Sequence, residues 1–252
     1  MSSISPEELF VGAPYQLGNI CKIHQLKLKE ILDREVLGFE KYYYFVNLLT
    51  MEEEDLKEVL TQKAQLGNID ISIFQYILLS AASDKTFFLD LKKALSTFIK
   101  EEVMISPKTG VIIVGDPKDK RVIGEKEFGE INLALRLFNK LRIKEPPPEN
   151  ETPMQRKFRL KREERDRVKE KQNAKKGDLP SFADVMSSVC VMNTGITALN
   201  IGEYTIYQIK DLLERAQAKE TYHTELDMLC AGADSKKIKP KHYVRNLQKE
   251  VN

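Results

Sequence analysis

The sequence has no tryptophan, only three cysteines and three histidines, and a formal net charge of only +2. Each scarcity excludes something. Cys21, Cys190 and Cys230 are odd in number and widely separated, which gives no disulfide framework and fits reduced thiols. His24, His223 and His242 have no neighbour at zinc-ligand spacing, and no two cysteines lie within a few residues of one another. No metal or cofactor is therefore expected. The overall charge balance points to no particular partner. The longest apolar runs, such as Val111–Val114, fall far short of the ~20 residues a membrane helix needs, so no transmembrane segment is expected. MSSISPEELF lacks a basic region followed by an apolar one, so a secretory signal is not expected either.

What is present is organisation. The chain has 252 residues, 42% of them hydrophobic and 31% charged, enough for one large domain or two small ones with a core. The charge is uneven. Met154 to Asp178 carries eleven basic and five acidic residues. This stretch follows Pro146-Pro147-Pro148, which cannot continue a helix and holds an extended backbone. It ends near the breakers Gly177 and Pro180. Between them, good helix formers surround only Met154, Phe158, Leu160 and Val168 as apolar residues, too few to anchor a helix on a core. The expectation is a solvated basic helix acting as a tether.

Three parts follow: residues 1–144 as a mixed, mainly helical domain, 145–178 as a proline-led basic linker, and 179–252 as a small helical domain. In the first, Pro14 to Ile23 reads as an extended pair around Gly18-Asn19. Leu26, Leu28, Ile31, Leu32 and Val36 start a helical pattern leading to Phe39–Phe45. Thr50 and Glu53 are spaced as a capping box before Leu56, Val59 and Leu60. Helices are expected over Ile71–Ala82 and Lys85–Ile99, then a hairpin from Glu102–Ser106 and Val111–Val114 about a Pro-Lys-Thr-Gly turn. Arg121–Ile123 is a possible third strand, and Glu127–Leu141 is an amphipathic helix. In the last part, Ser181 and Asp184 cap a helix over Phe182–Val191. Gly195 and Gly202 interrupt the chain. Tyr204–Ala218 and Thr221–Cys230 read as two further helices, the second stopped by Gly232. The fold class is α+β, mainly α-helical: an N-terminal helical domain with a small β-hairpin element, a charged helical linker and a small all-α C-terminal domain.

No enzyme signature emerges, and the chain reads as non-enzymatic. Val114-Gly115-Asp116-Pro117-Lys118 puts one glycine after a strand, whereas a phosphate loop needs several and a Lys-Ser or Lys-Thr pair. Cys190 lies on an apolar helix and Cys230 near a helix end, neither beside a local base. Glu52-Glu53-Glu54-Asp55 suits a helix N-terminus. Two features point to partners. Tyr42, Tyr43 and Tyr44 place rings all round one helix, so they cannot all face one core, and Tyr favours interfaces. A helix buried on two sides is the competing reading. Tyr204, Tyr207 and Leu213 offer a second candidate surface. Arg159, Lys161, Arg162 and Arg165 in the linker are candidates for an acidic contact, although Glu163, Glu164, Asp166 and Glu170 interleave with them.

The run Leu199–Ile209, then Leu212–Arg215, Ala231–Lys239 and His242–Leu247, resembles a pattern in tail-region proteins of phages infecting Gram-positive bacteria, grouped as tail assembly chaperones. Pro14–Ile31 and the strand pair leading into Glu127–Leu141 are similar to the same group. The chain departs from that group's aromatic–acid pair at Gly202-Glu203. The resemblance implies a protein without an active site that coats the tape measure protein and helps tail tube subunits polymerise. Its partners would be tape measure and tube proteins, with a homo-oligomer possible. It would work in the host cell cytoplasm during assembly or stay in the virion. A structural protein of head, neck or tail, and a nucleic-acid-binding module using the basic linker, are the alternatives.

On the assembly reading, replacing Arg159, Lys161, Arg162 and Arg165 by glutamine leaves DNA and RNA affinity unchanged in a salt-titrated binding assay. A salt-dependent affinity lost with those four charges would select the nucleic-acid module.

Overall fold

The computed structural model describes residues 4–53, 55–56, 71–106, 109–119, 121–143, 150–159, 161–162, 165, 168, 180–234 and 236–244. Its topology is α+β and mainly helical, with two small antiparallel sheets. The chain divides into two units. The first is residues 1–141 with 198–211, and the second is 142–197 with 212–252. Residues 198–211, read from sequence as part of a C-terminal domain, thus cluster with the first unit.

The first unit begins with α1 (Pro6–Phe10), where the Ser5 hydroxyl accepts from the Glu8 amide and the Glu8 carboxylate accepts from the Ser5 amide. β1 (Tyr15–Leu17) and β2 (Cys21–Ile23) form the expected hairpin. Gly18 at its turn has φ +49°, a conformation an L side chain resists. Both strands alternate, so Tyr15, Leu17, Cys21 and Ile23 point inward. The helical pattern that starts near Leu26 resolves into two helices, α2 (Leu28–Leu32) and α3 (Phe39–Leu49), with Val36 exposed between them. Gly38 makes that restart possible at φ +82°.

The capping box expected at Thr50 is not made. The Thr50 hydroxyl donates back to the Val46 carbonyl, and the Glu52 amide donates to the Asp55 carboxylate. Leu56 is buried, while Val59 and Leu60 lie outside the described residues.

α4 (Ile73–Ser83) is capped by Ser72 and Gln75, and α5 (Lys85–Ile99) by Asp84, whose carboxylate accepts from the Thr86 and Phe87 amides. α5 buries Leu91, Ala94, Leu95, Phe98 and Ile99, at the spacing of one helical face. The second sheet runs β3 (Val103–Ser106), β4 (Val111–Val114), β5 (Val122–Ile123), all antiparallel. α6 (Glu125–Phe138) follows, with Phe128, Ile131, Ala134, Leu135 and Phe138 buried.

In the second unit, residues 153–159 are helical, and α7 (Phe182–Met192) starts at the Ser181–Asp184 capping box. α8 (Ile206–Cys230) is one helix of 25 residues where sequence predicts two. Between Ala218 and Thr221 stand Lys219 and Glu220, both good helix formers, so nothing local stops it. Its residues from Leu212 onward belong to the second unit. The core of that unit is thin: among the described residues only Val189 and Ile196 are buried.

Residues 198–211 are held to the first unit by several bonds. The Leu28 amide donates to the Tyr204 carbonyl, and Lys27 and Thr205 form a β-bridge. Lys140 Nζ lies 2.9 Å from Asp211 Oδ1, with side-chain exposures of only 11% and 6%. Removing one member of so buried a pair costs more than replacing both by apolar groups. Asp211→Ala is therefore expected to lower unfolding stability by about 3–5 kcal/mol, and the pair Lys140→Met with Asp211→Leu by clearly less. Urea unfolding checks both; equal losses would contradict this account.

Candidate interaction site

The aromatic helix α3 turns about 100° per residue, so three consecutive tyrosines must face three ways. Tyr42 is buried, and its hydroxyl donates to Asn139 Oδ1 at 2.8 Å. Its ring meets Phe98 edge-on, with centroids 5.9 Å apart. Burial pushes its phenol well above the usual range. Tyr43 is half-buried, in edge contact with Phe39 at 4.7 Å, and its phenol too is raised by burial. Tyr44 is 44% exposed; burial first, then the Asp90 carboxylate, raise its phenol. The surface that α3 offers is carried by Tyr44 and Tyr43, while Tyr42 serves the unit's own packing.

The second candidate surface divides in the same way. Tyr207 is buried, with the Lys140 ammonium 5.1 Å from its ring centroid, a cation–π arrangement. Tyr204 and Leu213 are half-buried. Of the linker residues, Arg159 makes a two-pronged pair with Glu151, Nε to Oε1 at 2.8 Å and a terminal nitrogen to Oε2 at 3.0 Å. That contact holds the Glu151 carboxyl below its ordinary value. Lys161, Arg162 and Arg165 are exposed, as are Met154, Phe158 and Val168. The helix over 153–159 thus turns apolar as well as basic side chains to solvent.

Two arrangements were not legible locally. Glu203 accepts from Lys27 Nζ at 2.8 Å and Lys29 Nζ at 2.6 Å across more than 170 residues of sequence. Those two hydrogen bonds hold its carboxyl down at about 2. The second is an open cleft of about 330 Å³ lined by Cys21, Lys22, His24, Lys100, Glu101 and Arg121, among others. Its cations are largely neutralised, since Arg121 pairs with Glu101 and Lys100 with Glu30, both at 2.8 Å. Burial, then Glu101, push the Cys21 thiol up to about 11, which disfavours the thiolate needed for nucleophilic chemistry. Cys190 is half-buried on α7, and Cys230 is exposed at the end of α8. Among the described residues, no group of three or more His, Cys, Asp or Glu could hold a metal ion. No described helix is long and apolar enough to cross a membrane.

Residues 169–248 match the family described as the YomV second domain, which belongs to a phage-associated protein family. The match spans most of the C-terminal third of the chain and identifies a phage-related segment, not an activity. No curated protein and no solved structure matches the chain.

The folded pKa of Glu203 lies below its ordinary 4.5. Its clamp on Lys27 and Lys29 therefore contributes fully above that pH and fades as pH falls towards about 2. Both ends are solvent-exposed, so the effect is small and screened by salt. Glu203→Gln is expected to lower Tm slightly at pH 7 and to leave Tm near wild type at pH 2. An equal loss at both would show that the clamp does not act through its charge.

Proposed function

We propose that the chain is a non-enzymatic phage assembly protein, and more narrowly a tail assembly chaperone that binds the tape measure protein and tail tube subunits. The observation that carries the reading is the make-up of the phage-related segment and its flanks. Val191 is 83% exposed, Met228 49% and Val244 73%, yet among the unit's described residues only Val189 and Ile196 are buried. A unit that buries so little apolar surface and displays so much gains stability by laying that surface on another chain. Tyr44 and Tyr43 on α3 provide a further contact patch in the first unit.

Two units, the second of them carrying the basic stretch, suit a protein that holds one partner while recruiting another. A structural protein retained in head, neck or tail would use the same surfaces; the two differ in whether the chain remains in the finished particle.

The test is co-expression of the full chain with tape measure and tube proteins of the same phage. The chain is expected to co-purify with at least one of them, to change the onset of tube polymerisation in light scattering, and to be missing from purified virions. Val191→Asp together with Met228→Asp, both on exposed positions, should preserve circular dichroism and weaken capture at least tenfold. Failure to bind either protein would overturn the chaperone reading, and recovery of the chain in mature particles would replace it with the structural one.

A further inference from the structure

Two of the three histidines meet two tyrosines in one cluster near the end of the second unit. Tyr222 and His223 come from α8, and His242 and Tyr243 from the segment that follows it. The rings of His242 and Tyr243 are stacked, with centroids 4.5 Å apart and planes 21° from parallel. Tyr222 meets His242 edge-on at 5.0 Å and Tyr243 at 6.0 Å. His223 lies 6.3 Å from Tyr243. The Val244 amide donates to His242 Nδ1 at 3.1 Å, which fixes the ring and leaves Nε2 as its donor. His223 and His242 are exposed and the tyrosines half-buried, so ring surface remains open to solvent.

The chain that carries His242 and Tyr243 is rich in lysine just before them. Lys236, Lys237, Lys239 and Lys241 are exposed, and no acidic residue occurs from 236 to 243. A turn built on Asp234 presents them: its carboxylate accepts from the Lys236 amide, and its carbonyl from the amides of Lys237 and Ile238. Cations and flat rings thus occur together on one short segment.

We propose that this cluster is a binding site for single-stranded nucleic acid, with the lysines on the phosphates and the rings against the bases. A single strand carries a phosphate and a stackable base at every step, which matches a surface built of both. An acidic peptide would satisfy the lysines and leave the rings without partners of their own kind. The site is distinct from the basic linker, and the proposal does not rest on the chaperone reading.

Anisotropy titrations of the full chain with a labelled oligothymidylate test it. Three phosphate contacts, from Lys236, Lys237 and Lys239, predict an affinity that falls about twenty-fold between about 50 and 200 mM salt. Tyr243→Ala is expected to weaken binding by about 5- to 150-fold, the range of one stacked base, and Tyr243→Phe to stay near wild type. Replacing Lys236, Lys237 and Lys239 by glutamine should cut the logarithmic salt slope by about 2. These lysines are exposed, so this variant decides even if Tyr243→Ala unfolds. Neutralising Arg159, Lys161, Arg162 and Arg165 should leave the affinity in place. Absence of oligothymidylate binding, a salt slope unmoved by the lysine changes, or equal binding of poly-glutamate would each overturn the proposal.

Discussion

Residues 204–210 supply what three helices of the first unit lack at their ends. A helix leaves its first amides and last carbonyls without intrahelical partners, and these must be satisfied elsewhere. The Leu28 amide, at the start of α2, donates to the Tyr204 carbonyl. The Phe10 carbonyl, at the end of α1, accepts from Gln208 Nε2 at 2.7 Å. The Asn139 carbonyl, just past α6, accepts from Lys210 Nζ at 2.8 Å. One short stretch, distant in sequence, completes three separate termini. The ion pairs of Glu203 and Asp211 flank it and hold it in register.

The energetics of those flanking pairs differ. Glu203 and its lysines are about half exposed, so their attraction is screened and the contribution is modest. Lys140 and Asp211 are almost wholly withdrawn from water, where a lone charge would be costly and a pair is tolerated. The Tyr207 ring beneath the same ammonium supplies a third contact. Lys140 also stands at φ +47°, an unusual backbone state for a lysine, and its buried pairing offsets that strain. In the second unit the Glu151 carboxylate, its side chain 9% exposed, is paired with Arg159, while Val189 and Ile196 are the buried apolar residues among those described. That unit's described residues present exposed valine and methionine, exposed basic side chains at Lys161, Arg162 and Arg165, and a ring cluster with lysines in the chain just before His242 and Tyr243.

What could be read in advance was local. The ends of α5 were legible because Asp84 is a good cap and Ile99 closes the apolar face; the β3–β4 hairpin, because Pro and Gly sit between β-branched runs. The two-helix reading of α8 failed because a drop in apolar periodicity is not a stop signal when lysine and glutamate keep the helix going. Thr50 misled for a related reason, since a hydroxyl can serve the preceding turn as readily as the next. Tyr42 and Tyr44 could not be told apart before α6 was seen to bring Asn139 to one of them. The return of residues 198–211 was beyond reach, because nothing near Glu203 records that Lys27 and Lys29 await it. The ring cluster was hidden likewise: Tyr222 and His242 are unremarkable until twenty residues of chain bring them together.

The interrupted path of the first unit bears on how such genes can be reshuffled. Read from sequence alone, Pro146–Pro148 looks like an obvious seam. A crossover there would carry off Tyr204–Asp211 with the incoming half, and the donor's replacement would need to fit α1, α2 and α6 of a stranger. Inheritance of the two halves is thereby coupled.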